Sequence, residues 1–403
     1  MPLHRRRTSR RSLLSAGARA GVGALGLAVV GCADKPASDI DGRPALAGGE
    51  PPAWFKDTAP FILHDDGKSL EARLELMRGL ITPQRLFFVR NNSVSLDVDA
   101  AHWRLSVEGD AVGRPRELSY ADLLNMPSRT LISYLECAGN QRAMFDLVTG
   151  RAAGGTQWGT GGIGNGVWTG VSLRDVLSAA GVRDDAVSVL LIGLDAESPE
   201  QGFRRVLPIE KARHPDTLLA YALNGEALPK DHGYPLRALV PGWVGSSSIK
   251  WLSRIVVSAK PQWTRNNTTS YVLIGDDYPP EGEALGTVVT EQSIKSALAL
   301  PWPATLASGS QRIRGYAQSP HGPITRVEWS TDSGATWRDA AVLDPQPQYS
   351  WARFEFTWDA RRGEHVVMTR ATDASGAVQP DDVPFNKKGY LFNRPLPHPI
   401  SVG

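Results

Sequence analysis

The segment Tyr134-Leu135-Glu136-Cys137-Ala138-Gly139-Asn140-Gln141-Arg142 is an apolar run that ends in a thiol, a small-residue turn and a guanidinium. The apolar residues from Leu131 to Leu135 predict a buried strand, and Ala138-Gly139-Asn140 predicts a tight turn at its end. Cys137 is then expected at the edge of a strand, facing a cavity. A thiolate there, with Arg142 nearby, suits a soft metal and an anionic substrate. A lone cysteine is also commonly a small buried hydrophobe, and this alternative stays open at this point.

The composition is that of a globular, strand-rich protein. The chain has 403 residues, of which 41% are hydrophobic and 21% charged, and this length allows two sizeable cores. Its 40 glycines, 29 prolines and 12 tryptophans favour turns and strands over helix bundles. The formal net charge of +2 leaves no basic field of the kind that nucleic-acid binding requires, so any anion site must be local.

The first 32 residues have the pattern of an export signal. Their apolar run, Ala20 to Val30, is too short and too rich in Ala and Gly for a membrane span. Arg10-Arg11 followed by two leucines resembles a twin-arginine signal, and Val29-Val30-Gly31-Cys32 resembles a lipoprotein cleavage box that would place a lipid on Cys32. We therefore expect export to the periplasm, with a lipid anchor at Cys32 as an open alternative, and a disordered tether over residues 33–52.

Export changes the interpretation of Cys137. The sequence has two cysteines, and Cys32 is removed, lipidated or part of a flexible tail, so Cys137 has no credible disulfide partner. A lone thiol in an oxidising compartment is either buried or bound to something. The absence of a partner therefore favours a ligand role for Cys137.

Four segments before residue 200 have clear helix or strand patterns. Apolar side chains at helical spacing predict helices over residues 69–79 and 172–180, the second with a serine as its N-cap. Capping-box spacing predicts the start of a short helix at 119–124. The apolar run 187–194 predicts a buried strand that places Asp195 at its end.

Two segments are candidates for binding an anion. Residues 154–166 are dense in glycine and either cradle a phosphate through backbone N–H groups or form a flexible surface loop, without the Gly-Lys-Ser/Thr ending of a Walker loop. The segment 223–259 offers several donors to a phosphate, from His232, Arg237, Ser248 and Lys250.

Beyond Gly286 the pattern changes to short alternating strands separated by turn signals. They are predicted over residues 313–317, 324–330, 337–343, 351–358 and 364–372. Their spacing is typical of an immunoglobulin-like β-sandwich. The expected fold class is therefore α+β, with a mixed α/β domain followed by a β-sandwich.

Several motifs, in sequence order, resemble the sulfite oxidase family of molybdenum enzymes from about Phe87 to the C-terminus. They are Phe88-Val89-Arg90-Asn91, Glu136-Cys137-Ala138-Gly139-Asn140, the segment Asn224 to Pro235, Pro241-Gly242-Trp243-Val244-Gly245 and Ile249-Lys250-Trp251-Leu252. The resemblance implies a molybdopterin-binding catalytic domain over residues 53–285 and an immunoglobulin-like dimerisation domain over residues 286–403.

The resemblance also implies a set of site residues. Cys137 corresponds to the one protein ligand of a molybdenum held by a single pterin dithiolene, and a soft thiolate suits such a metal. The residues that resemble the pterin and phosphate contacts are Phe88, Arg90, Asn91, Asn92, Asp195, His232, Arg237, Ser248 and Lys250. The residues that resemble the substrate pocket are Arg90, Arg142 and Trp158, with Tyr271 at the position of the active-site tyrosine.

Two positions depart from the family pattern. Asn92 stands where the family often has histidine, which changes one donor to the pterin. Lys388 aligns best with a third arginine of the substrate pocket; it keeps the positive charge and loses the planar fork of donors. These departures bear on the identity of the substrate more than on the fold.

The implied reaction is oxidation of sulfite to sulfate by oxygen-atom transfer. Arg90, Arg142 and Lys388 would neutralise the dianion, and Tyr271 would donate a hydrogen bond to it. The sequence has no Cys-x-x-Cys-His haem motif, so we expect molybdenum–molybdopterin without haem and a separate periplasmic c-type cytochrome as electron acceptor. The expected partners are therefore sulfite, this cytochrome and a second copy of the chain.

Three other functions are alternatives to sulfite oxidation. Within the family they are nitrate reduction and oxidation of protein-bound sulfane sulfur. An exported enzyme without haem or flavin domains argues against an assimilatory nitrate reductase, and Arg142 favours a small oxyanion over a bulky sulfur adduct. Outside the family, the chain would be a secreted binding module in which Cys137 is inert core.

Overall fold

The computed structural model describes residues 54–343 and 346–403. The predicted export signal, the lipid anchor at Cys32 and the tether over residues 33–52 lie outside the described residues. All described residues fall in one compact unit, and the domain boundary expected near residue 286 stays a prediction. Within the described part of the chain, no helix has the length and hydrophobicity that a membrane span requires.

Strands and a few short helices make up the first part of the chain. The helices are α1 (Tyr120–Asn125), α2 (Ala143–Thr149), α3 (Leu173–Ala179) and α4 (Ile209–Ala212). The strands are β1 (Phe61–Leu63), β2 (Ser69–Ala72), β3 (Val89–Arg90), β4 (Arg104–Glu108), β5 (Arg116–Ser119), β6 (Ser128–Glu136), β7 (Ile163–Ser172), β8 (Ser188–Gly193), β9 (Arg204–Pro208), β10 (Leu218–Leu223), β11 (Glu226–Ala227), β12 (Arg237–Leu239), β13 (Leu252–Ser258), β14 (Val272–Leu273) and β15 (Thr287–Val288).

Two sheets form the centre of this part. The first is a mixed sheet of order β5-β4-β13-β8-β9, in which β4 and β13 are parallel and the other pairs antiparallel. The second has the order β11-β10-β7-β6, and β12 pairs with β10. Both sheets bury apolar side chains in one core with α3, for example Leu105, Ile255, Leu219 and Val176. The shared core contains residues of β7, β8 and β12, and β6 is tied to it through its pairing with β7.

The strand β6 carries the central stretch. It pairs with β7 along its whole length, from Ser128 opposite Val171 to Glu136 opposite Ile163. Apolar and aromatic side chains give it the buried, pleated surface that favours a strand. Cys137 therefore follows immediately after the last paired residue, as predicted.

The C-terminal part is a curled eight-stranded sheet. Its strands are β16 (Lys295–Leu298), β17 (Ala304–Leu306), β18 (Gly309–Gln318), β19 (Ile324–Ser330), β20 (Arg338–Leu343), β21 (Ala352–Ala360), β22 (Gly363–Asp373) and β23 (His398–Val402), in the order β16-β18-β21-β20-β19-β22-β23-β17. Strands from both ends of this order bury residues in one core, among them Leu298, Phe354 and Ile400. The predicted α+β class is confirmed, and the five predicted C-terminal strands are all present.

Two local predictions were wrong. Residues 69–79 form strand β2 and a 3-10 turn, Leu74–Leu76, instead of a helix, because Ser69 and Leu70 pair with Arg90 and Val89 of β3. Helix α3 is present, but its expected N-cap serine donates its hydroxyl to the carbonyl of Pro215 instead of accepting from the helix. The capping box at the start of α1 is present as predicted.

Candidate active site

Two adjoining cavities meet at Cys137. The first has a volume of about 700 Å³ and the second, which opens to solvent, about 1520 Å³. Four residues line both: Arg90, Asn92, Cys137 and Tyr271. Every residue predicted to contact the pterin lines the first cavity, and every residue predicted for the substrate pocket lines the second. The roles of these residues stay predictions, but the structure brings them together around the thiol of Cys137.

The turn after β6 holds Cys137 from both sides. Its backbone N–H donates to the carbonyl of Gly162, over 2.8 Å, and its carbonyl accepts from the N–H of Asn140, over 2.9 Å. The next segment of backbone packs closely on this turn, since a Cβ on Gly245 would lie 2.8 Å from the carbonyl oxygen of Glu136. The thiol is thus fixed by main-chain contacts that do not depend on its own side chain.

Burial and the neighbouring charges have opposite effects on the pKa of Cys137. Burial raises the pKa of the Cys137 thiol above its usual value, while the guanidinium groups of Arg142 and Arg90 lower it. No cluster of three or more His, Cys, Asp and Glu side chains that would hold a metal ion occurs in the described ranges. A metal at Cys137 would therefore need further ligands from a cofactor.

The first cavity is rich in buried cations. The donors of Arg237 bind the carbonyls of His232 and Ser248, over 3.1 and 2.9 Å, and no described carboxylate pairs with it. Burial lowers the pKa of Arg237 to about 9, and burial together with the charge of Arg237 lowers the pKa of Lys250 well below its usual value. An anion bound beside these groups would offset the cost of burying them.

His232 is oriented by a lysine from the start of the described chain. The Nζ of Lys56 lies 2.8 Å from Nε2 of His232 and also donates to the carbonyls of Gln84 and Phe87. Burial lowers the pKa of Lys56 to about 8, so the side chain is an ammonium at pH 7 and has only donors. Nε2 therefore accepts, and the proton of the neutral ring lies on Nδ1, where it is available to a ligand.

The first cavity suits the molybdopterin that the family resemblance implies. Asp195 is its one predicted acidic member, and that carboxylate already accepts from the hydroxyl of Ser198 and the N–H of Phe203. The hydroxyl of Ser246, also on the wall, is buried without a partner among the described residues. A thiol and buried cations with a free hydroxyl suit a molybdopterin, in which Cys137 would hold the metal and the cations would hold the phosphate.

Arg142 lies in a slot made by glycines. A Cβ on Gly139 would come within 2.6 Å of Nη2 of Arg142, and one on Gly389 within 2.6 Å of its Cγ. Its Nε donates to the carbonyl of Lys388, over 2.8 Å, and Nη1 to that of Thr156, over 2.7 Å. The side chain is 5% exposed and forms no ion pair with any described carboxylate. Its charge is thus available to an anionic ligand in the second cavity.

The glycine-dense segment 154–166 packs around Arg142 and leads into β7, and both alternatives stated for it stay predictions. Its beginning encloses Arg142, since a Cβ on Gly155 would lie 2.9 Å from Nη1, and its end is the start of β7. Trp158 within it is fully buried and lines the second cavity, and its Nε1 has no partner among the described residues.

Sequence reasoning missed several residues of the two cavities. They are Lys56 behind His232, Phe203 and Ser246 on the first cavity, and Arg265 and Tyr390 on the second. Lys56, Arg265 and Tyr390 lie outside the quoted motifs, and only the folded chain brings them to the site. Ser246 lies within the segment 223–259, which the sequence marks as a source of donors to a phosphate, so its hydroxyl could have been predicted as one of them.

Comparisons with known proteins agree with this arrangement. Residues 91–265 match the family described as "Oxidoreductase molybdopterin binding domain", and residues 287–396 match the "Mo-co oxidoreductase dimerisation domain". The chain is 34% identical over 334 residues to the mitochondrial sulfite oxidase of Mus musculus, covering 79% of this chain and 61% of that protein. It thus spans about three fifths of the length of that relative.

Two further relatives are covered over more of their length. The sulfite oxidase of Gallus gallus is 34% identical, with 78% of this chain and 72% of that protein covered, and that of Arabidopsis thaliana is 31% identical, with 79% and 88% covered. Among solved structures, the sulfane dehydrogenase SoxCD from Paracoccus pantotrophus superposes with a TM-score of 0.73 at 30% identity, over 83% of this chain and 86% of that one.

Proposed function

This chain belongs to the sulfite oxidase family of molybdenum oxidoreductases, and we propose that it oxidises sulfite to sulfate by oxygen-atom transfer. The observation that carries the proposal is the environment of Arg142. A guanidinium that is 5% exposed and has no carboxylate partner among the described residues lines the same cavity as the thiol of Cys137. Such a charge is costly to bury unless an anion binds beside it.

Six residues that line the second cavity have a part in the proposed reaction. When bound, a molybdenum held by a pterin dithiolene and Cys137 supplies two-electron oxidation–reduction coupled to oxygen-atom transfer. Arg90 and Arg142 neutralise the sulfite dianion and hold it beside Cys137, as does the ammonium of Lys388. Tyr271 donates a hydrogen bond to a sulfite oxygen. The buried ring of Trp158 excludes water from one side.

We also propose the setting in which the reaction takes place. The N-terminal sequence pattern supports export through the twin-arginine route to the periplasm, and an external c-type cytochrome there would accept the electrons. A match to a dimerisation domain over residues 287–396 supports a homodimer.

Oxidation of a sulfane sulfur is the second candidate. The second cavity opens to solvent beside Cys137, so a substrate larger than sulfite can reach it, and the chain superposes on a sulfane dehydrogenase. Lys388, which offers a flexible ammonium in place of a planar fork, is compatible with a larger and less symmetric substrate.

A steady-state assay separates the candidates. Molybdenum-loaded protein is given sulfite or a protein-bound persulfide, with ferricyanide or cytochrome c as electron acceptor. The proposal predicts reduction of the acceptor with sulfite at a kcat/KM at least about tenfold above that with the persulfide, which corresponds to about 1.4 kcal/mol. Turnover with the persulfide alone would reject sulfite as the substrate, and protein that carries molybdenum but oxidises neither would reject both.

A further inference from the structure

We propose that Tyr390 is a second phenol donor to the anionic substrate, beside Tyr271. The proposal rests on the proposed function, because the anion it concerns is the substrate of that reaction. Tyr390 belongs to none of the sequence motifs and lies outside the segment 91–265 that matches the molybdopterin-binding family. It lines the second cavity together with Arg142, Tyr271 and Lys388.

Tyr390 is part of a column in which two stacked tyrosine rings contact two guanidinium groups. Its ring is stacked on that of Tyr271, with centroids 5.5 Å apart and planes inclined by 15°. The guanidinium carbon of Arg142 lies 4.9 Å from the centroid of Tyr390, and that of Arg205 lies 5.4 Å from the centroid of Tyr271. Each guanidinium is attracted to the negative face of the ring that it contacts. These contacts hold both phenols in a fixed position relative to the cavity.

Arg205 adds a second buried charge that has no ion pair. It is fully buried, and it donates to the carbonyls of Asn266 and Val289, the latter over 2.6 Å. Its Nε has no hydrogen-bond partner among the described residues. The column therefore carries two positive charges, from Arg142 and Arg205, and no described carboxylate neutralises either of them. An anion placed against the column meets a positive potential in surroundings of low dielectric.

The backbone around Tyr390 is tied to the turn that holds Cys137. The side chain of Asn386, which is fully buried, accepts from the N–H of Tyr390 over 3.0 Å and donates to its carbonyl over 2.9 Å. The N–H of Leu391 donates to the carbonyl of Ala138, over 3.0 Å. These bonds fix the distance between the phenol and the residue after Cys137, which is what precise placement of a substrate donor requires.

Both phenol hydroxyls are unused by the protein. In the part of the chain that the structure describes, neither the hydroxyl of Tyr271 nor that of Tyr390 forms a hydrogen bond, although both side chains line the cavity. Burial, and then the neighbouring Tyr271, raise the pKa of Tyr390 above its usual value, so its hydroxyl stays protonated and remains a donor at all pH values of interest. The hydroxyls of Tyr271 and Tyr390 line the second cavity together with Arg90 and Arg142. These donors form a site for a ligand with several acceptor oxygens.

This arrangement specifies the class of substrate. Tyr271, Tyr390 and Arg142 line one cavity and offer donors suited to the three oxygens of a sulfur oxyanion, whereas a persulfide has no oxygen to accept such bonds. Removal of the Tyr390 hydroxyl leaves the other donors in place, so it should weaken the affinity for the anion.

The test removes the hydroxyl and keeps the ring. In Tyr390→Phe the stack on Tyr271 persists, and we expect the KM for sulfite to rise about fivefold or more, while kcat changes less than about twofold, because a hydrogen bond to a charged group is lost in the bound and transition states alike. The dissociation constant of sulfate, measured by calorimetry on the same molybdenum-loaded protein, should rise by a similar factor. The matched control is Tyr278→Phe, whose hydroxyl donates to the carbonyl of Pro384 over 3.1 Å and which lines neither cavity; both constants should stay as in the wild type.

Two outcomes distinguish this inference from the proposed function. If Tyr390→Phe leaves both the KM for sulfite and the dissociation constant of sulfate within twofold of the wild type, Tyr390 is not a donor to the anion. If the wild type binds sulfate but does not oxidise sulfite, the proposed function is wrong, and the change in sulfate affinity of Tyr390→Phe still decides the role of Tyr390.

Discussion

The residue before the central cysteine, Glu136, forms a buried ion pair with Lys295 of the C-terminal sheet, with Oε1 and Nζ 2.7 Å apart and side chains 0% and 3% exposed. The same carboxylate accepts from Asn140 and Gln318, and the backbone carbonyl of Glu136 accepts from Gln292. The base of the Cys137 turn is therefore built in part from residues beyond 286, so the C-terminal part supports the site as well as any dimer contact.

Removing the lysine should destabilise the protein strongly. In Lys295→Met the carboxylate of Glu136 stays buried without its cation, and the expected loss in the free energy of unfolding is about 3–5 kcal/mol. Denaturant titration followed by tryptophan fluorescence measures it. Arg254→Met is the control, because its partner Glu108 and Arg254 itself are both exposed, and such pairs contribute less than about 1 kcal/mol. Equal losses in the two variants would contradict the account of the Glu136 network.

Arg142 should determine affinity for the substrate. Charge-assisted bonds from a buried guanidinium to an anion are worth about 1.5–3 kcal/mol, so Arg142→Ala should raise the KM for sulfite by about 10- to 150-fold. Arg151→Ala is the control: Arg151 is exposed, lies over the ring of Phe385 and lines neither cavity. A KM that moves less than twofold in Arg142→Ala would show that this charge does not contact the substrate.

Lys56 should affect retention of the cofactor. In Lys56→Met, Nε2 of His232 loses its donor, so the ring proton is no longer confined to Nδ1 and the contact to the cofactor weakens. We expect the molybdenum content after purification to fall severalfold, with little change in secondary structure by circular dichroism. Lys260→Met, at an exposed position, should keep the wild-type content. Full molybdenum content in Lys56→Met would remove Lys56 from the site.

The sequence predicted best those elements whose structure follows from residues that are neighbours along the chain. The strand that ends at Cys137 follows from a run of apolar and aromatic residues, and the C-terminal strands follow from alternation between turn signals. The cavity residues from 88 to 250 were found because the motifs that carry them resemble a known family. None of these inferences needed contacts between distant parts of the chain.

What the sequence could not show depends on such contacts. Tyr390 meets Tyr271, and Lys56 meets His232, only after the sheets have assembled, and neither residue has a local pattern that marks it. The failure at residues 69–79 has the same cause, since pairing with β3 overrides a helical spacing of apolar side chains. Three strands at the edges of the C-terminal order, β16, β17 and β23, were also missed, and they close the core.

A buried histidine should make stability depend on pH. Burial lowers the pKa of His398 from 6.5 to about 4, so between these values the unfolded chain binds a proton that the folded chain does not. The free energy of unfolding should therefore fall as the pH drops from about 6.5 to 4, by up to about 3 kcal/mol from this group. Denaturant titrations of wild type and His398→Gln across this range measure the difference.

In His398→Gln the free energy of unfolding should depend less on pH than in the wild type, because glutamine does not titrate. Glutamine can also keep a donor towards the carbonyl of Pro301. His102→Gln is the control, since the side chain of His102 is 89% exposed, and its profile should follow that of the wild type. Parallel profiles for wild type and His398→Gln would contradict the assignment.

Molybdenum content and sulfite oxidation, measured together on wild type and Cys137→Ser, decide whether Cys137 is the protein ligand of a catalytic molybdenum. The many contacts of the first cavity should retain the cofactor in the variant, while a hydroxyl is a hard and poorly ionised ligand compared with a thiolate. We predict about one molybdenum per chain in both proteins, as one cofactor site implies, with sulfite-dependent reduction of ferricyanide in the wild type and none above background in Cys137→Ser. Sulfite turnover by Cys137→Ser at the wild-type rate, or wild-type protein from cofactor-competent cells without molybdenum, would contradict the account.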